Sequence, residues 1–199
     1  MAKGAICAVD GCDKETWSRD YCRNHQHRFK KYGDPLAGPT FNGEPLAWLK
    51  SHVDHADRKA CLIWPYKRHE RKRDGLGYGR LLVGGVEQYA HRVMCALAHG
   101  PSPTHGMEAA HSCGRGHEGC VNPHHLRWDT TQGNADDRRV HGTENKGSRN
   151  GKAVLKEADV RQIKALLGTM SQRAIAEKFG VSRWAITNIA RGRNWAWLQ

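Results

Sequence analysis

The sequence predicts an α+β protein built of successive small modules, and three observations predict it. Cysteines and histidines gather in two groups, Cys7 to His25 and Cys61 to His125, with almost no aliphatic residues around most of them. Two short β-type runs meet at Gly84-Gly85, and from Asp159 onward apolar residues recur at helical spacing. Modules are expected at 1–34, 51–140 and 154–199, with linkers at 35–50 and 141–153.

The chain carries 32 Lys+Arg against 20 Asp+Glu over 199 residues, a formal charge of +12. Such a surplus favours a polyanionic partner, nucleic acid first. A membrane surface is the rival, yet no apolar run is long enough to cross a bilayer. Met1 to Cys7 carries no signal-peptide core, so the protein is expected in the cytoplasm. Seven cysteines mixed with histidines in a reducing compartment suggest zinc rather than disulfides.

Taken in order, Cys7 and Cys12 flank a knuckle at Gly11, and Cys22-x-x-His25 opens a short helix. Three thiolates and one imidazole make a tetrahedral structural Zn2+ site that orders a segment too short for its own core. The helix continues through Arg28, Lys30 and Lys31 among aromatic residues, which suits phosphate contact; a solvated charged face is the alternative. Gly33-Asp34-Pro35 ends it. A short helix is expected from Leu46 to Val53, then a buried strand at Cys61-Leu62-Ile63-Trp64. Tyr66 to Asp74 follows as a charged loop whose Lys67, Arg68, Arg71, Lys72 and Arg73 would grip phosphate.

Gly77 to Val83 and Val86 to Ala90 form the expected hairpin. A two-stranded ribbon fits a DNA major groove, which makes Arg80, Gln88 and Glu87 contact candidates; an ordinary supporting hairpin is the other reading. His91 to Ala98 reads as a helix with Val93, Met94 and Leu97 inward and Cys95 in the core. Cys113, Cys120 and His125, with the Asn122-Pro123 turn between the last two, can meet at a second Zn2+. Three ligands do not close a structural site. Cys61 is the first choice for the fourth, its alternative being a buried small hydrophobe.

The order His111-x-Cys113, Cys120-x-Asn122-Pro123-x-His125-Leu126-x-Trp128 and Asn134, preceded by Gly77-Tyr78-Gly79-Arg80 and Ala90-His91-Arg92, resembles the phage-type His-Cys box branch of the HNH (ββα-metal, His-Me finger) homing endonucleases. The resemblance runs from Cys61 to Gly142. It implies a ββα-metal nuclease core in which His111 is the general base, Asn134 holds a catalytic Mg2+ or similar cation, and Cys113, Cys120 and His125 bind structural zinc. Many members of the wider class place an Asp before the base; here that position is Ala110. Phosphodiester hydrolysis asks for this pair in any case. Imidazole accepts a proton near neutral pH, and a hard cation relieves charge on the phosphate oxygens. From the residues alone, His111 as a zinc ligand or surface histidine and Asn134 as a helix cap stay open. Arg80 is a further candidate for the scissile phosphate.

Met107 to His111 and Leu126 to Trp128 are the expected strands of the ββα unit, and Asp129-Thr130-Thr131 caps a helix from Gln132 to Arg139. Val140 to Lys152, with Lys146 and Arg149, reads as an extended basic tether or a plain spacer. Beyond it, Ala176, Gly180, Ser182, Ile186 and Ile189 resemble a bacterial helix-turn-helix, with Arg183, Trp184, Thr187, Asn188 and Arg191 outward as groove readers. Trp195, Trp197 and Leu198 are expected to pack back on these helices.

The whole is expected to be a metal-dependent endonuclease acting on double-stranded DNA, in a homing, restriction or packaging role. The competing class is a DNA-binding regulator with architectural zinc. Double-strand cleavage needs two centres or sequential turnover, so homodimer and monomeric nickase both stand.

Overall fold

The computed structural model describes residues 4–69 and 77–199. Of the charged loop, Glu70 to Asp74, including Arg71, Lys72 and Arg73, lies outside the described residues. The chain is α+β and divides into two units, Met1–Gly142 and Thr143–Gln199.

In the first unit the N-terminal knuckle is tied by isolated bridges Ile6–Glu15 and Ser18–Tyr21, and leads into helix α1, Arg23–Tyr32. Helix α2, Glu44–Ser51, carries Pro45 in its first turn and buries Trp48 and Leu49. Gly11, at φ +75, comes so close to α2 that a β-carbon there would lie 2.6 Å from the carbonyl of Ala47. The stretch 35–50 is therefore not a linker between compact units: it ends in a packed helix that carries the N-terminal knuckle.

Strands β1, Arg80–Val83, and β2, Val86–Tyr89, pair antiparallel with Val83 opposite Val86. Gly84 and Gly85 both take positive φ, as the tight turn between them requires. Helix α3, Ala90–His99, follows directly and buries Val93, Met94 and Cys95. Strands β3, Glu108–His111, and β4, Leu126–Asp129, form a second antiparallel ribbon with His111 opposite Leu126. Helix α4, Thr131–Val140, completes the unit, its first turn capped by Thr130 Oγ1 accepting from the Gly133 N–H at 3.0 Å. Trp48, Leu49, Trp64, Tyr66, Leu81, Met94, Ala109, Val121 and Leu126 share one apolar core. The expected strand at 61–64 is instead a single bridge, Ile63 to Cys120. Ile63 is half-exposed and Cys61 turns toward other sulfurs, so Trp64 is the fully buried member of that run and Leu62 packs against the core from its edge.

The second unit holds helices α5, Glu157–Leu166, α6, Gln172–Phe179, and α7, Arg183–Ala190. Ser171 and Ser182 cap the last two, and Gly180 takes the left-handed conformation that ends α6. Val160, Ile163, Ile175, Ala176, Ile186, Ile189 and Leu198 form its core. Trp195 packs against that core, whereas Trp197 stays largely exposed and stacks on Trp195. The segment expected as an extended tether belongs in part to this unit: Gly147–Arg149 is a helical turn whose Ser148 N–H and hydroxyl both bond Glu157.

Candidate functional site

Two sets of metal-ligating side chains converge: Cys7, Cys12, Cys22 and His25, and Cys61, Cys113, Cys120 and His125, with ligand atoms within 4.8 Å of one another in each. Zn–S bonds near 2.3 Å and Zn–N bonds near 2.0 Å put the edges of a tetrahedral zinc site at roughly 3.5–3.8 Å. His25 Nδ1 lies 3.2 Å from the Cys7 sulfur and 3.3 Å from that of Cys22, and Cys12 lies 3.9 Å from Cys22. In the second set His125 Nδ1 is 3.7 Å from the Cys61 sulfur and 3.5 Å from that of Cys120. Both sets therefore fit a zinc ion, and the second is closed by Cys61.

Thiol chemistry points the same way. A hydrogen bond with Cys120 holds the Cys113 thiol down to about 4, and the same bond together with burial pushes Cys120 far up. Burial likewise pushes Cys12 up to about 12. Unaided, each cluster ionises unevenly; a bound divalent cation would let all three sulfurs act as thiolates.

Each set is braced by residues outside the ligand set, whose bracing role sequence reasoning missed. His25 Nε2 meets Glu44 Oε1 at 3.2 Å, and the same carboxylate pairs with Arg28. Such outer partners orient a ligating imidazole. Asn122, fully buried, donates from Nδ2 to the carbonyls of Asp57 and Ala60, both at 2.7 Å, while its Oδ1 accepts from the His124 N–H at 2.9 Å. Cys61 is thereby held beside His125, whose Nε2 reaches the Arg58 carbonyl at 3.1 Å. His124, exposed, touches the His55 carbonyl at 2.8 Å.

His111 ends β3 beside the second cluster. Its Nε2 lies 3.0 Å from the Cys120 carbonyl, an atom that only accepts, so Nε2 carries the hydrogen and Nδ1 the lone pair. A β-carbon at Gly116 would lie 2.5 Å from that Nδ1, so only glycine fits there. Rings of His91 and Tyr78 flank His111 at 5.1 and 6.2 Å. Burial lowers the pKa of His111, and lowers that of His91 to about 3. His91 Nδ1 is buried without a hydrogen-bond partner among the described residues.

Asn134 sits in the first turn of α4, but Thr130 rather than Asn134 is the cap. Its Nδ2 donates to Glu108. A carboxylate can only accept, so this bond leaves Oδ1 as the amide atom open to a cation. Glu108 shares a strand face with Ala110, two residues on, while His111 lies on the alternate face. His111 and Asn134 are not hydrogen-bonded to each other. Alternation along β3 could have marked Glu108, since it places a carboxylate next to α4.

Of the expected nucleic-acid contacts, Lys30, Lys31, Gln88, Arg183, Trp184 and Arg191 are exposed. Arg80 is bound within its ribbon, donating to Glu87 at 2.6 Å and to the Tyr89 hydroxyl. Thr187 is half-buried, its hydroxyl bonded to Gln172 at 2.8 Å. Lys146 pairs with Glu144 and lies over the Trp197 ring, and Arg149 stands in the turn beside it. Two expectations are corrected. Arg28 is 4% exposed because it shares the His25 face of α1 and is consumed by Glu44 and the Pro39 carbonyl. Asn188 is 4% exposed because it flanks the inward Ile186 and Ile189, where the chain beyond α7 folds back to its carbonyl.

No described helix is long and apolar enough to cross a membrane. No family model and no solved structure matches the chain. It is 35% identical over 119 residues to Protein 7.7 of Escherichia phage T7, a match covering 60% of this chain and 87% of that protein. On that coverage, the chain belongs to the family of phage T7 Protein 7.7.

Proposed function

We propose that this protein is a divalent-metal-dependent DNA endonuclease of the HNH/His-Cys box kind, cutting double-stranded DNA at sites chosen by its helical C-terminal unit. The observation that carries the reading is His111: the Cys120 carbonyl holds Nε2 as a donor, and Gly116 lets the loop approach Nδ1 where any side chain would obstruct it. An imidazole fixed in that tautomer is suited to take a proton from water with Nδ1. Zinc in the two cysteine-histidine clusters is architectural, and the second cluster sets the loop that carries the Cys120 carbonyl.

Asn134 Oδ1, with Glu108 at hand, offers oxygen ligands of the hard kind that Mg2+ prefers. Bound there, such an ion would supply charge stabilisation at the leaving 3′ oxygen. Glu108 orients the Asn134 amide. Family resemblance implies 5′-phosphate and 3′-hydroxyl ends. Helices α6 and α7 act as a helix-turn-helix, with Arg183, Trp184 and Arg191 turned to the groove.

The test is supercoiled plasmid incubated with Mg2+. Wild type should yield nicked or linear product, and His111→Ala none. Intact plasmid with wild type at every salt concentration tried would overturn the reading. A DNA-binding regulator with architectural zinc is then favoured.

A further inference from the structure

A cleft of about 530 Å3 opens along α1, bounded by Trp17 on one side and Phe41 on the other. It lies within the size range of small-ligand sites. It involves neither His111 nor Asn134, and the proposed endonuclease activity does not account for it.

Three features bear on what it takes. Its lining includes Arg23, Lys30 and Lys31 and no acidic residue. Arg28 also lines it, but its charge is already met by Glu44. Trp17, 69% exposed, has the Arg23 guanidinium 5.5 Å from its ring centre, so a large aromatic face and a cation stand together at the rim. Finally, Gln26, more than nine-tenths buried, lines the cleft together with the polar side chains of Asn24 and His27. Uncharged donors and acceptors beside cations and an exposed ring suit a ligand that carries both an anion and a polar ring.

We propose that this cleft binds one unstacked nucleotide of a DNA single strand, its base on Trp17 and its phosphates on Arg23, Lys30 and Lys31. An anionic ligand answers the charge. A flat ring bearing both donors and acceptors answers Trp17 and the uncharged polar lining together, which an acidic peptide does not. Stacking on an aromatic side chain combined with a cationic track is the general means of holding single strands.

The experiment measures fluorescence anisotropy of a labelled oligothymidylate with the full-length protein, without added Mg2+ and without chelator. An abasic strand of the same length is the comparison, and polyglutamate the competitor. Wild type should bind the base-bearing strand more tightly than the abasic one. Trp17→Ala should weaken the former roughly tenfold and leave the latter unchanged, while Trp17→Phe retains binding. Equal affinity for the two strands would reduce the cleft to a phosphate patch and overturn the proposal. Effective competition by polyglutamate, or an unchanged Trp17→Ala, would overturn it as well. Should Trp17→Ala fail to hold its zinc, the double variant Lys30→Ala/Lys31→Ala, at exposed helix positions, decides: several-fold weaker binding is expected, and unchanged binding refutes. His111→Ala should bind like wild type, which keeps this result separate from the outcome of the cleavage assay.

Discussion

Replacing Asn122 with alanine removes one buried amide and strands three backbone groups: the carbonyls of Asp57 and Ala60, each 2.7 Å from Nδ2, and the His124 N–H, 2.9 Å from Oδ1. Residues 57–60 are exposed, so water re-solvates those carbonyls and the low end of the range applies. At about 1 kcal/mol for each bond, the loss is about 3 kcal/mol. For a unit of this size a kilocalorie lowers the melting temperature by roughly 2–4 °C, which gives a drop of roughly 6–12 °C. The same bonds hold Cys61 near His125, so the second zinc should also bind more weakly while the first does not change. Near-ultraviolet circular dichroism on heating, and zinc release to a chromophoric chelator well below the melting temperature, measure both effects. A melting temperature within about 2 °C of wild type, or loss of both zinc equivalents together, would refute the claim that Asn122 braces this cluster alone.

Gly116→Ala places a β-carbon 2.5 Å from His111 Nδ1, and should reduce plasmid cleavage about a hundredfold with zinc content intact; undiminished cleavage would show that Nδ1 is not the working atom. Glu108→Ala frees the Asn134 amide to rotate, so the Mg2+ concentration for half-maximal cleavage should rise about tenfold with less effect at saturation; an unchanged Mg2+ profile would remove Glu108 from the site. His91, lowered to about 3 by burial first and by the charges of His111 and Arg92 after it, stays neutral in the fold while the unfolded chain protonates below about 6.5. Its contribution is thus complete above that pH and is lost as pH falls toward 3, so wild type should lose up to about 1.4 kcal/mol more per pH unit than His91→Leu in this window. Parallel pH profiles in denaturant titrations would refute it, since protonation of the zinc ligands acts on both proteins and cancels.

The features legible in the sequence are those with local signals. Ligand spacing around Gly11 and Asn122-Pro123, the Gly84-Gly85 turn, and the caps Thr130 and Ser182 each depend on neighbours a few residues away, and the structure contains all of them. Cys61 had no local signal; only the arithmetic of a fourth ligand pointed to it. Glu44 and Asn122 brace the clusters through partners distant in sequence, and nothing in their own surroundings announces it. Arg28 illustrates the opposite error. A basic run invites a solvated reading, but three residues after His25 it falls on the ligand's own helix face and is drawn inside. Asn188 was misjudged in the same way, by assigning polarity to the outside without following the helical phase set by Ile186 and Ile189.

In the first unit the large apolar core takes nothing from the N-terminal knuckle and only Val121 from the stretch between Cys113 and His125. The knuckle's own small cluster is Val9 and its cysteines, and the loop from Ser112 to Gly119 adds nothing buried and apolar. Sulfur and imidazole take the place of hydrocarbon in both. β3 is where the two kinds of cohesion meet: Ala109 belongs to the apolar core, Cys113 to the metal cluster, and His111 stands between them with its Nε2 on a carbonyl that belongs to a ligand residue. Displacement of Cys120 therefore displaces the acceptor that selects the His111 tautomer. Architecture and proposed chemistry are joined at that one hydrogen bond, so zinc bound at the second cluster, though it would touch no substrate in this scheme, would govern whether Nδ1 can act as a base.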